Sequence, residues 1–161
     1  MLEQKYVTFY ARSSKVPLDV AERDVVLTYV LKILSEDMLK KLAFKGGTCL
    51  KKTHFGSSGR FSMDLDFTSL SISAGELQTQ LKQLLDKRSH FGIEFKISEE
   101  NISKGAADCE QSYLAVIQYS HGWNAGEFNF EVSFREKPLL PLDEMPLLDE
   151  MYFKYCEFPR F

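Results

Sequence analysis

The sequence predicts an α+β domain, a mixed or antiparallel sheet flanked by helices. Two opposed periodicities carry this reading. Val20, Val25, Val26, Tyr29, Val30, Ile33 and Leu34 recur at helical spacing, as do Leu77, Leu81, Leu84 and Leu85. Phe61, Met63, Leu65 and Phe67 instead alternate with polar residues, and so do Ile93, Phe95 and Ile97, and Phe128, Phe130, Val132 and Phe134. Thirteen Phe and seven Tyr suit a core built on a sheet, and 161 residues suit one domain with a core of its own.

The first 17 residues show no clean period and end in Ser-Ser and Pro, so they read as a loose arm or short docking element. From Leu18, with Asp19 able to cap, an amphipathic helix of about four turns follows, leaving Glu22, Arg23 and Lys32 outside its apolar stripe. "EDMLKKLAFKGG" reads as a turn of helix feeding a short strand. "TCLKKTHF" then has the length of a helix of about two turns starting at Thr48, broken by "GSSG". "FSMDLDFTS" is a strand with one apolar and one acidic face, and "SAGELQTQLKQLLDKRS" a second amphipathic helix. "GIEFKIS" is a strand, while "SYLAVIQYS", "HGWNAG" and "EFNFEVSF" form an antiparallel hairpin. Residues 137–161, with four prolines and little period, read as an extended tail of the single domain 1–161.

A net charge of −3 and a pI near 5.7 argue against holding nucleic acid by bulk electrostatics. Charge is uneven, however: Lys40–His54 is basic and Leu142–Met151 acidic. Cys49, Cys109 and Cys156 form no CxxC pair or Cys/His cluster and read as reduced thiols. With no signal peptide and no apolar run approaching about 18 residues, the expectation is a cytoplasmic protein without a membrane partner.

The chemistry concentrates in "FKGGTCLKKTHFGSSGRFSMDLDF". A nucleoside triphosphate needs donors against its phosphate oxygens and anionic oxygens to hold Mg²⁺. Gly46 and Gly47, lacking Cβ atoms, let backbone N–H groups approach phosphate at a helix N-terminus, with Lys45, Thr48 and Arg60 adding charge and hydrogen bonds. Asp64 and Asp66, two apart on a strand, project on one face about 6.6 Å apart at Cα and can share an ion. Glu131, mid-strand beside Asn129 and Ser133, is the candidate third acid of a two-metal site.

These residues resemble the nucleotidyltransferase superfamily with the DNA polymerase β fold, which places a glycine pair, a short helix, an acid-x-acid strand and a third acid in this order. More narrowly, the run from Lys45 to Thr48, then Arg60, Ser62, Asp64 and Asp66, resembles the signature of AbiEii-type nucleotidyltransferases. "AERDVVLTYVLKILSE" and "FNFEVSFRE" are similar to the flanking helix and the strand of the third acid, so the likeness spans most of Val20–Glu136. It implies Gly46, Gly47 and Thr48 on the triphosphate, with Lys45, Arg60 and Ser62 beside them. Asp64, Asp66 and Glu131 would be catalytic and metal-binding, holding two Mg²⁺ or, in their place, Mn²⁺. The superfamily more often has Asp as its third acid; the longer Glu131 side chain can still reach the ions.

The resemblance further implies transfer of a nucleotide from a nucleoside triphosphate to an RNA, tRNA or protein hydroxyl by the toxin of a toxin–antitoxin or phage-abortive system, with an antitoxin protein as partner. Relatives carry a C-terminal helical region of about domain size, with a nucleotide-contacting lysine, and the 161 residues are expected to lack it. Two alternatives stand beside this reading: an inactive nucleotide-binding or protein-interaction module, and a structural domain whose acids do not converge. His54, His90 and His121 are scattered and read as surface or turn residues, and Trp123 as a hairpin packing residue.

Overall fold

The computed structural model describes residues 2–35, 38–106, 109–148 and 151–154. Its strands are β1 (Leu42–Lys45), β2 (Leu65–Ser69), β3 (Arg88–His90), β4 (Ile93–Lys104), β5 (Glu110–His121) and β6 (Asn124–Ser133). They lie side by side as one six-stranded sheet in the order β1-β2-β6-β5-β4-β3. β2 and β6 run parallel and every other neighbouring pair antiparallel, so the sheet is mixed as the alternating runs imply. The helices are α1 (Gln4–Ser14), α2 (Leu18–Ser35), α3 (Gly46–Leu50), α4 (Ala74–Leu85) and α5 (Met151–Lys154).

The alternation decides the faces. Leu65, Phe67, Phe95, Tyr113, Ile117, Phe128, Phe130 and Val132 are buried in one cluster with apolar residues of α1, α2 and α4. Their neighbours Asp66, Leu114, Gln118, Glu127, Asn129 and Glu131 lie on the opposite face, exposed or half-exposed. Phe44 stacks on Phe67 at 5.1 Å between ring centroids, and Phe67 lies 5.2 Å from Phe130, so aromatic rings tie β1, β2 and β6 together on the buried side.

Several expectations need correction. The N-terminal segment is not a loose arm: Gln4–Ser14 is helical and buries Val7, Tyr10 and Ala11. Its helix closes on Lys15, whose φ of 57° is left-handed, and the segment packs along α2. That cover changes α2, which is buried nearly all round, including Glu22 and Asp24 at 0% exposure, instead of along one stripe. The strand expected from Phe61 begins only at Leu65. β3 was not expected, since Arg88 and Ser89 read as the end of a helix that in fact stops at Leu85.

The hairpin turn is tighter than "HGWNAG", because His121 already pairs with Asn124. His121 is not a surface residue either, its side chain being 1% exposed. In the tail, residues 137–148 are extended, with Leu139, Leu140 and Leu142 exposed. Leu148 N–H then donates to Lys52 O at 2.7 Å, and Tyr152 of α5 is buried edge-on to Tyr6. Residues 155–161 of the expected tail lie outside the described residues.

α4 starts where a reciprocal cap can form. Ser73 Oγ accepts from Glu76 N at 3.3 Å, and Ser73 N donates to Glu76 Oε2 at 3.1 Å. Ser73→Ala is expected to cost about 1 kcal/mol without moving the sheet, a change readable as a lower urea midpoint at unchanged slope.

Candidate active site

β1 delivers Lys45 to a turn that only glycine serves well. Gly46 has φ +77°, and a Cβ there would collide with Asp66 Oδ2. A Cβ on Gly47 would sit 3.3 Å from Ser62 Oγ. The glycines thus let backbone close on the acid strand, as well as leaving room for a ligand. The helix begins at Gly46, two residues before the expected Thr48, and runs on from α3 into a π-helical turn, Lys51–Phe55. Thr48 is buried, and its Oγ1 donates to Asp64 O at 2.6 Å. Its hydroxyl therefore holds the acid segment.

The acids meet through sheet register. Asp66 is the direct partner of Lys45 on β1 and of Glu131 on β6, so the three side chains form one row across the solvent-facing side. Adjacent strands put Asp66 and Glu131 about 4.8 Å apart at Cα. Asp64 precedes β2, where its Oδ1 accepts the N–H of Asn129 at 3.3 Å. Arg60 is exposed four residues upstream of Asp64. Lys45 Nζ also lies 3.9 Å from Glu136 Oε2, with both side chains largely exposed; such a pair contributes little to stability.

Electrostatics register the crowding. Burial, then repulsion by Asp64 and Glu131, raise the Asp66 carboxyl above its ordinary 3.8, while Lys45 opposes the rise. A cation among these carboxylates would relieve that repulsion, and hard oxygen donors are what Mg²⁺ or Mn²⁺ prefers. The donor set therefore fits such an ion, but incompletely. Among the described residues no three His, Cys, Asp or Glu side chains are already gathered closely enough to hold a metal. Phosphate oxygens and water would supply the remaining ligands, as is usual for Mg²⁺.

Two lysines of the basic stretch Lys40–His54 lie inside the protein. Lys51 and Lys52 do not lend a positive surface to phosphate: both side chains are 1% exposed. Lys51 Nζ lies 3.0 Å from Asp24 Oδ2 and Lys52 Nζ 3.2 Å from Asp24 Oδ1. A helical wheel carried the signal, since Ala21, Asp24, Thr28 and Leu31 recur at spacings of three and four. A second buried group joins Glu22 to Tyr119 at 2.7 Å and to His121 at 2.5 Å. A cleft of about 840 Å³ lined by Lys87, Arg88, Lys96 and Glu127 opens elsewhere. Glu127 lies four residues along β6 from Glu131, about 13 Å away, so this volume is not the carboxylate site.

Two solved Helicobacter pylori proteins are similar in structure. A nucleotidyltransferase candidate shares 20% identity at a TM-score of 0.50, over 77% of this chain and 49% of its own. JHP933 shares 20% identity at a TM-score of 0.48, over 74% of this chain and 46% of its own. The present chain thus spans about half the length of both. No curated protein matches. The mixed sheet and flanking helices are those of a nucleotidyltransferase-type fold. Residues 30–159 match the family model of the AbiEii nucleotidyl transferase toxin of type IV toxin–antitoxin systems, and the chain belongs to that family.

Asp66 gives a pH-dependent test. Its folded pKa lies above the unfolded value, so its contribution to stability is fully present below the unfolded pKa and is lost as pH rises through the folded one. Asp66→Asn is expected to be at least as stable as the parent at pH 7, with that advantage vanishing below about pH 3.8; urea titrations across pH measure it. Gly46→Ala is expected to destabilise by more than about 1 kcal/mol, through its φ and the collision with Asp66.

Proposed function

We propose that the chain forms the catalytic part of a nucleotidyltransferase, which moves a nucleotide from a nucleoside triphosphate to a hydroxyl acceptor in a metal-dependent reaction. The observation that carries the proposal is the row Lys45, Asp66 and Glu131, with Asp64 beside it and the glycine turn against Asp66. Two divalent cations, when bound, supply charge stabilisation to the attacking and leaving oxygens.

The chain's own residues would do the rest. Backbone N–H groups of Gly46 and Gly47, at the start of the helical segment, donate to triphosphate oxygens. The Lys45 ammonium offsets their charge, and Ser62, lying against Gly47, borders the same turn. Asp64 and Asp66 would hold these cations, against which the α-phosphate is set for in-line attack. The acceptor oxygen bonds to the α-phosphorus as the bond to pyrophosphate breaks, and Glu131 takes the acceptor proton. An RNA or protein hydroxyl is the proposed acceptor, and a toxin's role opposed by an antitoxin is the proposed setting, on the strength of the family.

A second reading has its own support. Among the described residues the three carboxylates are not gathered as a complete ligand set, which favours a module that binds nucleotide without turnover. Incubating the protein with each α-labelled nucleoside triphosphate, total RNA and Mg²⁺ separates the two. The enzyme reading expects labelled product that Asp64→Ala or Asp66→Ala reduces at least a thousandfold, with loss of Mg²⁺-dependent nucleotide binding. Binding without product favours the module, and undiminished transfer by the double variant sinks the proposed site.

A further inference from the structure

Burying charge is costly unless it is paired and hydrogen-bonded, so a buried ionic cluster has to be explained. Here Asp24, at 0% exposure in the second turn of α2, faces two consecutive lysines. Its Oδ2 accepts from Lys51 Nζ at 3.0 Å and from Tyr10 OH of α1 at 2.8 Å. Lys51 Nζ in turn donates to Tyr10 OH at 3.1 Å and lies 4.3 Å from the centre of the Phe61 ring. Lys52 Nζ reaches Asp24 Oδ1, donates to Asp24 O at 3.1 Å and to Thr28 Oγ1 at 2.7 Å.

Neighbours on a regular α-helix diverge by about 100°, so two adjacent lysines do not ordinarily reach one carboxylate. Here both lie in the π-helical turn that continues α3, a wider turn often found at functional sites. Leu148 N–H satisfies Lys52 O from outside that turn. One helical turn before Lys51, Thr48 holds Asp64 O, and three residues before Asp64, Phe61 lies under the Lys51 ammonium. The cluster therefore grips both ends of the loop between the glycine turn and the acid strand.

We propose that Asp24 is a positioning residue for the carboxylate site. Through Lys51 and Lys52 it fixes the segment Gly46–Phe55, and through Thr48 and Phe61 it sets where Asp64 stands relative to Asp66 and Glu131. This rests on the proposed reading of those acids as a metal site. It predicts that loosening the clamp weakens cation binding even when the fold survives.

The test uses the full chain and Mn²⁺ alone, titrated by the loss of the free-ion paramagnetic signal, with each variant held well below its melting temperature. Asp24→Asn is expected to weaken Mn²⁺ binding by about 10- to 100-fold, and Asp24→Glu to recover part of the loss. The triple variant Asp24→Leu, Lys51→Met, Lys52→Met replaces the charges by apolar groups, which often keeps or raises stability; it should recover the melting temperature and not the affinity. If Asp24→Asn fails to fold, the triple variant and Thr28→Val decide. Affinity within twofold of the parent in every folded variant overturns the positioning role while leaving the metal site standing. Absence of Mn²⁺ binding by the parent removes the metal reading itself, and this inference with it.

Discussion

The register between β2 and β6 is the constraint on which the rest of the candidate site depends. These are the only neighbouring strands among the described residues that run parallel, and their pairing puts Asp66 beside Glu131. A slip of one residue would turn every side chain of β2 to the other face, sending Asp66 into the core and Phe67 to solvent. Phe67, fully buried between Phe44 and Phe130, opposes that slip. Removing a ring of this size from a core costs about 3–5 kcal/mol, far more than any contact made by the acids. The apolar face thus sets the geometry of the polar one.

Around that pairing the fold buries an unusual amount of polarity on α2. Asp24 is matched to the helical segment after the glycines, and Glu22 to the β5–β6 hairpin through Tyr119 and His121. Burial, followed by the hydrogen bond and charge of Glu22, pushes the Tyr119 hydroxyl well above its ordinary value, so it stays protonated and keeps donating. Trp123 packs at 4.7 Å from His121 and donates to Leu2 O at 3.3 Å, closing the hairpin over the start of the chain. α2 is consequently tied, through two residues of its N-terminal half, to the β5–β6 hairpin and to the helical segment that follows the glycines.

The polar face of the sheet carries Leu114, Gln118, Glu127, Asn129 and Glu131 exposed to solvent, and that openness bears on function. Glu131 is exposed there and Asp64 and Asp66 half-exposed, open to the triphosphate and acceptor proposed above. The exposed run from Leu139 to Met145 begins three residues beyond Glu136, whose carboxylate lies 3.9 Å from Lys45 Nζ. The features proposed for nucleotide and metal therefore share one face of the sheet, while α1, α2 and α4 serve the core.

The amino-acid sequence alone determined the fold class, the strand that carries Asp66, the α4 helix and the β5–β6 hairpin, and it nominated Asp64, Asp66 and Glu131 as candidates for one site. Each is written in local periodicity or in a short motif, and neither needs knowledge of what lies opposite. Only the tertiary structure decided that Gln4–Ser14 is a helix, that β3 exists, that Lys51, Lys52 and His121 face inward, and that Thr48 holds Asp64. A charge or hydroxyl takes its role from its partner, and those partners lie 16 to 99 residues away. The parallel register that places Asp66 beside Glu131 is of the same kind, because pairing across 65 residues is settled by the shared core and not by either strand.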